Sequence, residues 1–87
     1  MSEFNICGMV VRSRDERSND VRSSLLAIPG VEIHAAEAGR MVVTVESDSY
    51  GQVADNVNNI QFLDGVVSAS IVYQYSDQQD TQEESAQ

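Results

Sequence analysis

The chain has 87 residues, of which 41% are hydrophobic and 22% charged, and its formal net charge is −9. A chain of this length forms one domain with one small core, and its negative charge argues against nucleic acid or an anionic lipid surface as the partner. Cys7 and His34 are the only residues of their types, which excludes an internal disulfide and a Cys-rich zinc site.

The first two predicted elements are a strand and a helix. Residues 6–13 are apolar and rich in β-branched side chains, as in a buried strand, and the charged residues of 14–20 mark its end. Apolar positions then recur at helical spacing until Pro29, where proline cannot continue a helix. The apolar stripe of this helix is predicted to be Val21, Leu25, Leu26 and Ile28.

A hairpin and a second helix follow. Residues 31–36 alternate at period two, residues 41–46 resume the strand pattern, and residues 38–40 (AGR) supply a turn between them. The side-chain oxygens at 47–49 are suited to capping a helix. The apolar stripe of the second helix is predicted to be Tyr50, Val53, Val57 and Ile60.

The last predicted elements are a strand and a polar tail. The turn at Asp64 and Gly65 precedes a long strand over 66–75. Residues 76–87 carry four carboxylates and almost no apolar side chain, so we expect them to be disordered. The sequence therefore predicts a single domain at 1–75 and an acidic tail at 76–87.

The predicted order is β-α-β-β-α-β, and the sequence also repeats itself at an offset of 35 residues. The matching pairs are Leu25 and Ile60, Ile28 and Leu63, Gly30 and Gly65, and Val31 and Val66. Two β-α-β units with right-handed crossovers close into a four-stranded antiparallel sheet with both helices on one face. The predicted fold class is therefore α+β, a ferredoxin-like sandwich whose second sheet face is open.

Alternation along the strands predicts which side chains lie on each face of the sheet. The face toward the helices is predicted to hold Cys7, Met9, Val11, Val31, Ile33, Ala35, Met41, Val43, Val45, Ala69, Ile71 and Tyr73. The open face is predicted to hold Ile6, Gly8, Val10, Arg12, Glu32, His34, Val42, Thr44, Glu46, Ser68, Ser70, Val72 and Gln74. An apolar centre with carboxylates at its edges fits a binding platform, and it also fits a solvated face with scattered aliphatic residues.

The residues that could carry chemistry favour no enzyme. Cys7 lies in a predicted strand without a basic neighbour and is interpreted as a core residue, and His34 as a surface residue. The cluster of Arg12, Arg14 and Arg17 lies where acylphosphatases hold a phosphate, but the glycine-rich cradle is missing. RNA binding on this fold needs aromatic side chains on the central strands and positive charge, and neither is predicted.

Four blocks of the sequence, residues 6–11 (ICGMVV), 28–35 (IPGVEIHA), 39–46 (GRMVVTVE) and 65–73 (GVVSASIVY), together resemble the NapD family. The resemblance spans about residues 5 to 75. It implies a cytoplasmic chaperone that binds the twin-arginine signal peptide of NapA, the catalytic subunit of periplasmic nitrate reductase. Such binding restrains export until the molybdenum cofactor is loaded, and the chaperone is expected to be a monomer before the peptide binds. No cofactor of its own is expected.

A twin-arginine signal combines two guanidinium groups with an apolar segment, and the open face offers aliphatic and acidic side chains. Glu32 and Glu46 are expected to pair with the arginines, and Gly8 to let the peptide backbone approach closely. The expected peptide-binding residues are Ile6, Gly8, Val10, Glu32, Val42, Thr44, Glu46, Ser68, Ser70 and Val72. The alternative is a ferredoxin-like regulatory or dimerisation module that pairs through the same face.

Overall fold

The computed structural model describes residues 4–77. Its elements follow the predicted order, with a short 3-10 turn at Asp15–Arg17 before the first helix. The elements are β1 (Phe4–Ser13), α1 (Ser18–Leu26), β2 (Val31–Glu37), β3 (Arg40–Ser47), α2 (Tyr50–Gln61) and β4 (Val66–Asp77). Among these residues, no helix is long and apolar enough to cross a membrane.

The strands of this part of the chain form one four-stranded antiparallel sheet in the order β2-β3-β1-β4. β1 and β3 occupy the centre, and β2 and β4 form the edges. Both helices pack on the same face of the sheet, since their buried residues belong to one cluster with the buried strand residues. The predicted α+β ferredoxin-like sandwich is confirmed.

The core lies between the helices and the sheet. Cys7 is 1% exposed, and its burial raises the pKa of the thiol, so it is the core residue that the sequence indicated. The buried apolar cluster consists of Cys7, Met9, Val11, Val21, Leu25, Val31, Met41, Val43, Val45, Val53, Val57 and Ile60. Strand alternation therefore predicted the inner face of the two central strands correctly.

Two residues of the predicted helix stripes lie outside the core. Leu26 is 54% exposed and Tyr50 is 50% exposed. Each is a terminal residue of its helix, Leu26 the last of α1 and Tyr50 the first of α2. Both side chains therefore belong to the predicted apolar stripes but lie outside the buried core.

The internal repeat is visible as two copies of one helix exit. Gly30 has φ +85° and Gly65 has φ +98°, a conformation that side chains disfavour. In both copies the next residue closes a turn, with the amide of Val31 donating to the carbonyl of Ile28 and that of Val66 to Leu63. The same local signal therefore ends both helices and starts both following strands.

The sheet extends further than the sequence predicted at both ends of the chain. β1 begins at Phe4 rather than at residue 6, and β4 continues through Ser76 to Asp77, which pairs with Phe4. The predicted domain limit at residue 75 therefore falls two residues short of the strand's end. The rest of the predicted tail, residues 78–87, lies outside the described residues.

Candidate functional site on the open sheet face

A β-bulge in β4 decides which of its side chains reach the open face. Gly8 pairs with Tyr73 and Met9 pairs with Ile71, so Val72 is an extra residue between the two pairs. Beyond the bulge Tyr73 lies on the open face, and Gln74, which donates to the Tyr50 hydroxyl at 3.4 Å, lies on the helix face. The predictions for Tyr73 and Gln74 were therefore both wrong, because each assumed unbroken alternation.

A second bulge has the same effect on β2. Ile33 pairs with Val43 and Ala35 with Val42, so His34 is the extra residue. Ala35 consequently lies on the open face opposite Val42, and its predicted contact with the helices is wrong. His34 lies on the open face as predicted.

A shallow groove of about 570 Å³ lies on the open face. Its walls include eight of the ten expected peptide-binding residues, namely Ile6, Gly8, Val10, Glu32, Val42, Thr44, Glu46 and Val72. His34 and Tyr73 line it too. Ser68 and Ser70 lie on the same face, opposite Arg12 and Val10, but outside the groove.

Gly8 lies on the open face as predicted, but its role there differs from the predicted one. It is buried although it lies on the open face, because the Tyr73 ring occupies the space that a Cβ would need. An aromatic ring packed over a cross-strand glycine is a known way of stabilising a sheet at that position. Gly8 therefore seats the Tyr73 ring and is not open to a peptide backbone.

Sequence reasoning missed an aromatic row along one side of the open face. Tyr73, Tyr75 and Phe4 lie on this face, and each is about half exposed. The Phe4 and Tyr75 rings pack with their centroids 6.4 Å apart and tilted by 53°. A signal was present, since three consecutive apolar residues at 71–73 break the period-two pattern. Phe4 also places an aromatic side chain on a central strand, where the sequence predicted none.

Carboxylates and aromatic rings share one end of the groove. Glu46 lies in register with Ile6 and Tyr75 across the sheet, and Glu32 lies in register with Thr44, Gly8 and Tyr73. Both carboxylates are exposed. Carboxylates accept hydrogen bonds from guanidinium groups, and aromatic faces attract them, so this end suits arginine side chains.

His34 contacts Thr44 at this end of the groove. Its Nε2 lies 2.8 Å from the Thr44 hydroxyl oxygen and 3.9 Å from a Glu32 carboxylate oxygen. The free thiol of Cys7 lies on the opposite face of the sheet, in the core. The groove therefore combines features of a binding surface, an apolar floor with polar side chains at its edge.

Comparison with known proteins identifies the family. Residues 4–78 match the family model described as NapD protein. Chaperone NapD of Escherichia coli (strain K12) is 28% identical over 80 residues, covering 90% of this chain and 92% of that protein. Chaperone NapD of Paracoccus pantotrophus is 28% identical over 71 residues, covering 82% of this chain and 63% of that protein.

The fold agrees with this match. The solution structure of the E. coli Tat proofreading chaperone protein NapD aligns with a TM-score of 0.75 at 28% sequence identity, covering 97% of this chain and 87% of that chain. These relatives are named as chaperones and not as enzymes, in agreement with the sequence-based expectation. The chain belongs to the NapD family.

Proposed function

We propose that this protein is a cytoplasmic proofreading chaperone that binds the twin-arginine signal peptide of NapA and restrains its export until the cofactor is loaded. The observation that carries the proposal is the open-face groove, in which an apolar floor ends at two carboxylates. The relatives support it, since they are named NapD chaperones and one is described as a Tat proofreading chaperone.

The floor of the groove suits the apolar segment of a signal peptide. Val42 is 39% exposed and Val72 is 63% exposed, and they lie beside Ile6 and Val10. Covering these side chains removes apolar surface from water, which favours binding at about 25 cal/mol per Å². Part of that gain is spent on ordering the peptide, so we expect an affinity well below the value that area alone suggests.

The acidic end suits the two arginines. Glu32 and Glu46 supply two carboxylates on neighbouring strands, and Tyr73 and Tyr75 supply aromatic faces in the same cross-strand rows. A guanidinium group can donate to a carboxylate while its plane lies on a ring. Lysine lacks this planar fork, so we expect a twin-lysine peptide to bind more weakly.

Chemical-shift mapping with a synthetic NapA signal peptide tests the proposed site. We expect perturbed amides on β1, β3 and β4, together with Glu32 of β2, and unmoved amides on α1 and α2. A control peptide with both arginines changed to lysine should produce smaller shifts at equal concentration. Perturbations confined to the helices would show that the open face is not the binding site.

Two kinds of variant separate the apolar and the charged contributions. Val42→Asp should weaken binding at every salt concentration, because desolvating the new carboxylate costs about 1–3 kcal/mol. Glu32→Gln with Glu46→Gln should weaken it mainly at low salt, by about 1 kcal/mol or less each, since exposed pairs are screened. Asn58→Ala, an exposed position on α2, is the control and should change neither.

Sedimentation of the protein without peptide tests the alternative of a dimerisation module. A monomer that binds one peptide agrees with the proposal. A stable dimer that buries the open face and releases no subunit when peptide is added would contradict it.

A further inference from the structure

The open face carries opposite charges at its two ends. Arg12 of β1 and Arg40 of β3 lie directly opposite each other on this face, because they continue the alternation of Val10 and Val42. Within residues 4–77 neither arginine forms an ion pair, although Glu37 lies in register with Arg40. Like charges placed directly opposite each other destabilise an antiparallel pair. This pair is therefore suited to an anionic group from a partner.

The basic end continues the groove of the acidic end. A second depression of about 580 Å³ is lined by Arg12, Arg40 and Glu37, and it shares Val42 with the first. Glu46 and Arg40 lie at the two ends of the same face of β3. They are six residues apart, which corresponds to about 20 Å at ~3.3 Å per residue. The open face is thus one track, acidic at one end, apolar in its middle and basic at the other end.

We propose that this charge polarity sets the direction in which the signal peptide binds. The twin arginines lie at Glu32 and Glu46, and the carboxyl-terminal end of the apolar segment lies at Arg12 and Arg40. The inference rests on the proposed function and adds the orientation to it. In signal peptides the cationic region precedes an apolar region of about 7–15 residues, so the order of groups along the peptide matches the order along the track.

A helical segment fits the length and the charge of the track. A helix that spans 20 Å contains about 13 residues, which is within the range of the apolar region. Its last carbonyl oxygens have no partner within the helix and carry partial negative charge. The guanidinium groups of Arg12 and Arg40 donate to these oxygens. In the reverse direction the peptide's arginines would meet Arg12 and Arg40, which repel them.

Paramagnetic labelling measures the orientation directly. One NapA signal peptide carries a nitroxide at its amino terminus and a second carries it after the apolar segment. We expect the second label to broaden the amides of Arg12, Glu37 and Arg40, and the first to broaden those of Ile6 and Glu46. The opposite pattern, or equal broadening at both ends by each label, would overturn the orientation while leaving the proposed function intact. Absence of saturable binding would overturn both.

Affinity measurements test the role of the two arginines. Arg12→Gln and Arg40→Gln should each weaken binding about two- to fivefold at low salt, the effect of a cation near a helix carboxyl terminus. Arg22→Gln, an exposed position on α1, removes the same net charge and should leave affinity unchanged. An equal effect of all three variants would show a general charge effect and overturn the proposal.

A charge swap separates a direct contact from a structural role. Two peptides are compared, one with Glu and one with Lys just after the apolar segment. The Glu peptide should bind the wild-type protein more tightly than the Lys peptide. The double variant Arg12→Glu/Arg40→Glu should bind the Lys peptide more tightly than the Glu peptide. An unchanged order would overturn the assignment, even if the double variant binds both peptides more weakly.

Discussion

The two faces of the sheet differ in how regularly their side chains alternate. On the helix face, the central strands β1 and β3 alternate without interruption, and their inward side chains are the buried core. On the open face, bulges at His34 and Val72 re-aim the side chains of both edge strands. A central strand is held by neighbours on both sides, whereas an edge strand has one neighbour and can accommodate an extra residue. Packing against the helices therefore specified the inner face, and bulges in the edge strands shaped the outer one.

The side chains of the two faces also differ in their exposure to solvent. The core side chains are almost all below 2% exposed, whereas Val42, Val72 and the aromatic row are about 40–60% exposed. Apolar area already removed from water stabilises the fold, and area still exposed is available to a partner. Four sets of variants test these differences in packing and exposure.

The largest effect is expected from two neighbours in β3 that lie on opposite faces. Met41 is 1% exposed and Val42 is 39% exposed. Met41→Ala should lower the free energy of unfolding by about 2–5 kcal/mol, through lost burial and the cavity left behind. Val42→Ala should lower it by less than about 1 kcal/mol and instead weaken peptide binding. Urea unfolding of both variants measures the contrast, and equal losses would refute the division between the faces.

A second test concerns the glycine beneath the Tyr73 ring. Gly8→Ala should destabilise the fold by about 1–3 kcal/mol, because the new methyl group overlaps the ring. The same change in a Tyr73→Ala background should cost much less. Gly51→Ala on α2 is the matched control, since its Cβ meets nothing closer than 3.8 Å and alanine favours helix by about 0.5–1 kcal/mol. A similar cost of Gly8→Ala with and without Tyr73 would show that the ring is not seated on this glycine.

The hairpin beside Arg40 offers a stabilising change. Ala38 has φ 54°, a left-handed conformation that costs a residue with a side chain about 1–2 kcal/mol. Asparagine tolerates this conformation, so Ala38→Asn should raise the free energy of unfolding by about 1 kcal/mol. Gly39→Ala should have the opposite sign, because its Cβ would meet the Ser13 carbonyl oxygen. Thermal unfolding of both variants checks the two signs, and a destabilised Ala38→Asn would contradict the left-handed turn.

The smallest effect is expected at an ion pair that touches neither face. Arg17 Nη2 donates to Asp64 Oδ2 at 2.9 Å, and this hydrogen bond, followed by the arginine's charge, lowers the pKa of Asp64. A lowered folded pKa gives stability that is fully present above the ordinary aspartate pKa of about 4 and is lost as the pH falls through the folded pKa. Asp64→Asn should therefore reduce thermal stability slightly at neutral pH and not at strongly acid pH.

The same variant provides an internal control for the binding experiments. Both side chains of the pair are exposed, so its contribution should also shrink at high salt. Peptide affinity should not change, since the pair lies away from the open face. A loss of stability that is independent of pH would show that the asparagine acts through something other than the lost charge.

The sequence predicted which residues line the groove better than it predicted how their side chains are arranged there. Eight of the ten expected residues line the groove, because β1 and β3 supply most of them and keep their alternation. The strand pattern placed Tyr73 on the wrong face. Gly8 was expected to let the peptide backbone approach, but the Tyr73 ring covers it. Both errors have one source, the extra residue at Val72, which a period-two pattern does not place. The role of the groove residues in peptide binding stays a prediction that the titrations above can test.

The element order, the core residues and the resemblance to the NapD family could all be read from the sequence, because helix and strand periods are local properties of the chain. Which residues lie opposite each other across the strands became apparent only in the folded sheet. The ring of Tyr73 over Gly8 and the juxtaposition of Arg12 with Arg40 depend on register between strands far apart in sequence. Register is set by packing and by bulges in the paired strands, so no single strand's pattern contains it.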